Sequence, residues 1–114
     1  MNYLGLDYGT AKIGVAIAIG SLAEPLTTIN AKNNLQLLKQ IIIDNNIDTI
    51  VVGDCSQEFL DRLQLLELPV HVVDETLSSH DAREKLLHTT QKRRKNLEHQ
   101  VSATIILQNW LDTQ

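Results

Sequence analysis

The sequence predicts an α/β fold: a mixed five-stranded sheet, three early antiparallel strands followed by parallel ones, flanked by helices. Three observations carry this. Residues 3–29 hold three short apolar runs separated by brief Gly-containing or polar breaks, a spacing that suits hairpins. Beyond them, the apolar runs at 49–53 and 70–75 alternate with stretches whose apolar residues recur at helical period, as in parallel strands joined by crossover helices. Finally, Asp7 and Glu75 each end an apolar strand, and ligands of α/β sheets gather at the carboxyl ends of the strands.

The first strand carries Asp7 near its end, where an unpaired carboxylate is costly to bury and calls for a cation or a set of donors. Gly9 then permits a tight turn or the close approach of a phosphate. In the second strand Ile13, Val15, Ile17 and Ile19 alternate with Gly14, Ala16, Ala18 and Gly20, giving one apolar face and one face of minimal side chains. A third strand is predicted over 24–29. Asn33 or Asn34 can cap a helix with Leu35, Leu38, Ile41 and Ile42 on one stripe, stopped by Asn45-Asn46. Residues 49–53 are apolar on both faces, as a central parallel strand should be. Ser56 opens a short helix with Phe59, Leu60, Leu63 and Leu66 on one side, and Pro69 precedes the strand over 70–75. Ser78 and Asp81 have capping-box-like spacing before Ala82, Leu86 and Leu87. A final helix is predicted from about Leu97 to Asp112, packing Val101, Ile105, Ile106 and Trp110. This is the RNase H-like order of elements.

At 114 residues the chain is expected to form one domain, 1–114, with a single core. A strand, Asp, Gly-turn, strand platform also occurs in actin-like and sugar-kinase-like ATPases, but those close two such lobes around a nucleotide. With 43% hydrophobic and 21% charged residues the composition is that of a soluble globular protein. No apolar run reaches the roughly 20 residues needed to span a bilayer. The lone Cys55 excludes an internal disulfide and a Cys-based zinc site. With no basic, apolar leader ahead of the first strand, the expected location is the cytoplasm.

The net charge of −4 conceals an asymmetry. Residues 83–98 hold six Lys/Arg and two Glu, a net +4, against −8 for the rest. Within them Lys92, Arg93, Arg94 and Lys95 form a run read as a loop before the last helix. Such a cluster can neutralise the phosphates of a nucleic acid. Two carboxylates at the strand ends, Asp7 and Glu75, make half a cage for a hard cation such as Mg²⁺. Two such ions about 4 Å apart activate water and stabilise the leaving oxygen of a phosphodiester.

Three blocks in order carry a family resemblance: Leu4-Gly-Leu-Asp-Tyr-Gly9 with Ile13-Gly-Val-Ala16, Asp74-Glu-Thr-Leu-Ser-Ser79 with Ala82, and Ser102-Ala-Thr-Ile-Ile-Leu-Gln108 with Trp110-Leu-Asp112. The chain resembles the YqgF family of Holliday-junction resolvases, also described as pre-16S rRNA nucleases. The resemblance implies an RNase H-like fold and hydrolysis of phosphodiesters with Mg²⁺ or Mn²⁺. The implied substrate is an rRNA precursor or a DNA junction, with a pre-ribosomal particle as a candidate partner. Asp7 matches the first catalytic carboxylate and Glu75 the second. His99 stands where the third, an Asp, normally sits; imidazole suits Mn²⁺ better than Mg²⁺, and the exchange leaves open a nucleic-acid-binding module that kept the fold and lost catalysis. Helical period places His99 with Ala103, Ile106 and Trp110 on the face toward the sheet, while Glu98 could supply a carboxylate after a small rotation.

Lys12 replaces a common Arg, keeping the charge without the bidentate fork, and joins the basic run as a nucleic-acid contact. Thr76 replaces another frequent Arg. The segment after the central strand is Gly53-Asp-Cys-Ser56, and the longer loop usual there is missing. No residue reads a 2′-hydroxyl recognisably, so RNA and DNA both stay open. A homodimer would suit a junction, but no interface is legible in the sequence.

Overall fold

The computed structural model of the chain describes residues 1–32, 35–73 and 91–114, the last stretch with side chains from residue 98 onward. Among the described residues eight elements follow one another: β1 (Asn2–Tyr8), β2 (Lys12–Ile19), β3 (Ala23–Asn30), α1 (Leu35–Asp44), β4 (Thr49–Val52), α2 (Gln57–Gln64), β5 (Val70–Val72) and a helix, α3 (Gln91–Asp112). The sheet runs β3-β2-β1-β4-β5. The β1–β2 and β2–β3 pairs are antiparallel; β1–β4 and β4–β5 are parallel. The mixed five-stranded sheet expected from the sequence is therefore present, with β1 at its centre and the middles of the three interior strands, β2, β1 and β4, buried.

Strand alternation sorts the sheet into two unlike faces. Leu4, Leu6, Ile13, Val15, Ile17, Ile50 and Val52 point to one side and pack with Leu38 of α1 and Phe59 and Leu63 of α2. Each such side chain, fully buried, contributes about 1.5–3 kcal/mol. The other side carries Ala16, Ala18 and Val51 against Ala103, Ile106 and Leu107 of α3. The small residues of this face have a specific reason. A Cβ at Gly14 would fall on the carbonyl of His99, and one at Gly5 would lie 2.7 Å from Leu107 Cβ. The backbone of α3 thus lies in a trough floored by β1 and β2. Side-chain bonds fix its slide along that trough: Gln100 Nε2 donates to Thr28 Oγ1 at 3.0 Å, and Gln108 Oε1 accepts from the Ala23 amide at 2.9 Å.

The shorter helices end where local chemistry says they should. Ser56 caps α2, its hydroxyl oxygen accepting from the Phe59 amide at 3.2 Å. Asn46 takes a left-handed φ of 53° just after α1, a conformation that Asn tolerates better than most residues.

Two boundaries differ from expectation. The last helix begins six residues earlier than Leu97, at Gln91, so the run Lys92–Lys95 is helical and not a loop. Gln, Lys and Arg are good helix formers, but 91–96 contain no apolar residue, and periodicity could not register that turn. β5 is assigned only over Val70–Val72, although the Val73 amide still donates to Val52 O at 2.9 Å. The capping candidates Asn33 and Asn34, the Ser78–Leu87 helix, Asp74 and Glu75 lie outside the described residues.

Candidate active site

Register places Asp7 beside Gly14 at the carboxyl end of β1. Leu4, Leu6 and Tyr8 face α1 and α2, so Asp7, one residue out of phase, faces α3. It is buried, at 8% exposure. Because Gly14 lets the helix backbone close onto the sheet, His99 is brought directly over it, with Nδ1 3.3 Å from Asp7 Oδ2. The imidazole also roofs the β1–β2 turn, where a Cβ at Gly9 would stand 3.2 Å from its Cε1 and 2.6 Å from Lys12 O. The expected orientation of His99 toward the sheet is thus observed, and the group it meets is the carboxylate singled out in the sequence.

Their electrostatics are coupled. The hydrogen bond to Asp7 holds the His99 pKa above 6.5; partial burial opposes this, and the negative charges of Asp7 and Glu98 add to it. A pKa raised on folding stabilises the fold fully below the unfolded value near 6.5, and that contribution is lost as pH rises through the higher folded value. In EDTA the melting temperature of the protein should therefore fall between pH 6 and 8 more than that of a His99→Gln variant. The difference should stay below about 1 kcal/mol, because the His99 side chain is 35% exposed. Parallel pH profiles would remove this coupling.

Lys12 lies at the same edge, opposite Asn30 in the β2–β3 ladder, and its Nζ donates to Asn30 Oδ1 at 2.9 Å. Lys92, Arg93, Arg94 and Lys95 occupy the first turns of α3, the helix that carries His99. Glu75 lies outside the described residues. Among the described residues no three His, Cys, Asp or Glu side chains converge; the pair Asp7–His99 supplies one oxygen and one nitrogen donor. In octahedral coordination at 2.0–2.1 Å, adjacent ligand atoms are about 2.9 Å apart. The 3.3 Å separation is close to that, so the pair fits one edge of a cation's ligand shell.

An RNase H-like α/β domain with a buried carboxylate at the carboxyl end of its first strand is the class that fold and site define. Solved structures agree on the fold: a fowlpox virus resolvase bound to Holliday junction DNA superposes with a TM-score of 0.68 at 12% identity, covering 99% of this chain and 98% of that one. RuvC of Thermus thermophilus in complex with a Holliday junction substrate gives 0.61 at 14% identity, covering 99% and 95%. The chain belongs to the RuvX family, described as Holliday junction resolvase, whose model matches residues 1–113. A "Putative pre-16S rRNA nuclease" of Moorella thermoacetica is 35% identical over 98% of this chain and 95% of its own length. A protein of the same name from Gloeothece citriformis is 36% identical over 96% and 86%. These two alignments extend over 133 and 132 positions, more than the 114 residues here, so both relatives carry insertions that this chain lacks. Among the described residues no helix is long and apolar enough to cross a membrane.

Proposed function

We propose that this protein hydrolyses phosphodiester bonds in structured nucleic acid with a divalent cation, and that its substrate is the 5′ region of a 16S rRNA precursor. The observation that carries the reading is the Asp7–His99 pair, 3.3 Å apart at the carboxyl edge of the sheet. Family membership and the names of its relatives support a nuclease.

Asp7 would hold the cation through Oδ2, with His99 Nδ1 as its neighbour in the ligand shell and Glu75, which follows β5 in sequence, as the second carboxylate. When bound, the cation supplies an activated water and neutralises charge on the leaving oxygen. The chain's own residues do the rest. The β1–β2 turn and the His99 ring wall the carboxylate from bulk water, and the α3 backbone against Gly14 holds the residue over Asp7. Lys92, Arg93, Arg94 and Lys95 neutralise phosphates of the incoming strand, and Lys12 adds a positive charge at the same edge. For hydrolysis His99 must be neutral at Nδ1, since a proton there excludes a cation.

The test is cleavage of a precursor 16S rRNA and of a four-way DNA junction, with Mg²⁺ and Mn²⁺ separately. The precursor should be cut, and Mn²⁺ should support the reaction better than Mg²⁺ because one donor is imidazole. His99→Asp should raise the Mg²⁺-supported rate by about tenfold, on the scale seen when a ligand environment is altered. Faster cutting of the junction would move the substrate from RNA to DNA. Strong Mg²⁺-dependent turnover that ignores His99→Ala would take His99 out of the site.

A further inference from the structure

The sheet edge that presents Asp7 to α3 has a second side. There, between the β1–β2 turn and α2, lies a hollow of about 350 Å³ lined by Tyr8, Thr10, Lys32, Ser56, Phe59 and Arg62, among others. A further hollow of about 650 Å³ continues past Thr10 and Lys32 toward Asn30 and Leu37. We propose that the first hollow is a substrate subsite, holding a backbone phosphate and its nucleotide next to the phosphodiester offered to Asp7. This rests on the nucleic-acid reading above and adds to it a binding site that neither the basic run nor Lys12 supplies.

Position comes first. Tyr8 follows Asp7 directly and points to the opposite face of β1, and Thr10 sits in the turn between the two faces. A strand passing over that turn would meet Asp7 on one side and the hollow on the other. Chemistry comes second. Lys32 and Arg62 are two cations from different segments, and Thr10 and Ser56 add hydroxyl donors. Ser56 accepts from the Phe59 amide, which leaves its hydroxyl hydrogen to donate. Tyr8 is stacked on the buried Phe59, with centroids 4.5 Å apart and planes 30° from parallel. A ring braced in that way is a ready surface for a nucleobase, since stacking needs a fixed aromatic plane and little else.

One carboxylate opposes the anion. Glu58 accepts from Arg62 Nη2 at 2.8 Å, both side chains being well exposed at 77% and 43%. An exposed pair one helical turn apart is weak, whereas a guanidinium can grip a phosphate with two bonds. A phosphate therefore displaces Glu58 readily, and Glu58 acts as a mild competitor. If Arg62 served only to pair along α2, Glu58 would have no influence on nucleic acid beyond the general field.

The experiment uses the full chain in EDTA, so that no cleavage occurs, with fluorescein-labelled single-stranded hexamers of RNA and of DNA. Anisotropy titrations over a range of salt are compared for the unaltered protein, the double variant K32Q/R62Q and the single variant E58Q. K32Q/R62Q should bind about tenfold more weakly and lower the salt slope by about one unit. E58Q should bind at least twofold more tightly. The two losses should match on RNA and DNA, because the phosphate is common to both. Unchanged affinity and slope in K32Q/R62Q would overturn the subsite, as would weaker binding by E58Q or a loss confined to one nucleic acid. None of these positions is buried, so equal melting temperatures should confirm that the variants fold. Because the readout is metal-free binding, a protein that cleaves nothing can still pass, and one that cleaves but ignores K32Q/R62Q loses this subsite alone.

Discussion

Asp7→Asn should abolish metal-dependent cleavage, by about a thousandfold or more, while leaving the protein folded. The amide keeps the shape of the carboxylate but removes the charge that attracts a cation into a nearly closed site, and such preorganised charge is the largest single contribution in many active sites. On sequence grounds the variant could even gain stability in the metal-free state, since Asp7 and Glu75 would repel. The structure alters that expectation. Asp7 is paired with His99, and Asn exchanges a charge-assisted hydrogen bond for a neutral one. At pH 6 a loss of about 1 kcal/mol is expected instead, shrinking as pH rises and His99 loses its proton. Cleavage rates and melting curves on the same preparation separate the two effects. Full metal-dependent activity in Asp7→Asn would remove this residue from the mechanism.

How much of this could be seen in the sequence depends on the range of the interaction. The strands were legible because their signals are local: in the second, Ile13, Val15 and Ile17 announce one face and Gly14, Ala16 and Ala18 the other within six residues, and the fourth is a short continuous apolar run. The inward orientation of His99 was legible for the same reason, through its helical spacing to Ala103, Ile106 and Trp110. Its partner was not, because the meeting of His99 with Asp7 depends on how far α3 slides along the sheet, which Gln100 and Gln108 set by bonding to β3 and its approach. Leu107 escaped notice as a core residue; it is fully buried because Gly5 leaves room for it. The α2-side hollow escaped altogether. Its cations, Lys32 and Arg62, are thirty residues apart, and each looks like an ordinary surface charge until the fold brings both beside Tyr8. The start of α3 was misplaced because a helical turn built only from polar residues has propensity but no pattern.

The largest effect on stability is expected from adding one methyl group. Gly14→Ala would put a Cβ onto the carbonyl of His99 and against the amide of Gln100. Both are helix backbone, held by their own hydrogen bonds, so neither can turn aside as a flexible side chain would. The only relief is for α3 to lift away from the sheet, which opens the contacts of Ala103, Ile106 and Leu107 with Ala16, Ala18 and Val51. Overpacking usually costs about 1–3 kcal/mol; with backbone as the obstacle, about 3–5 kcal/mol is expected, in the range that marks a specific steric fault. For a domain of this size that lowers the melting temperature by roughly 10 °C or more. Any fraction that still folds should cleave poorly, since the same lift separates His99 from Asp7. A variant that melts within a few degrees of the unaltered protein would show that α3 does not rest on Gly14, and with it the placement of His99 over the carboxylate would fail.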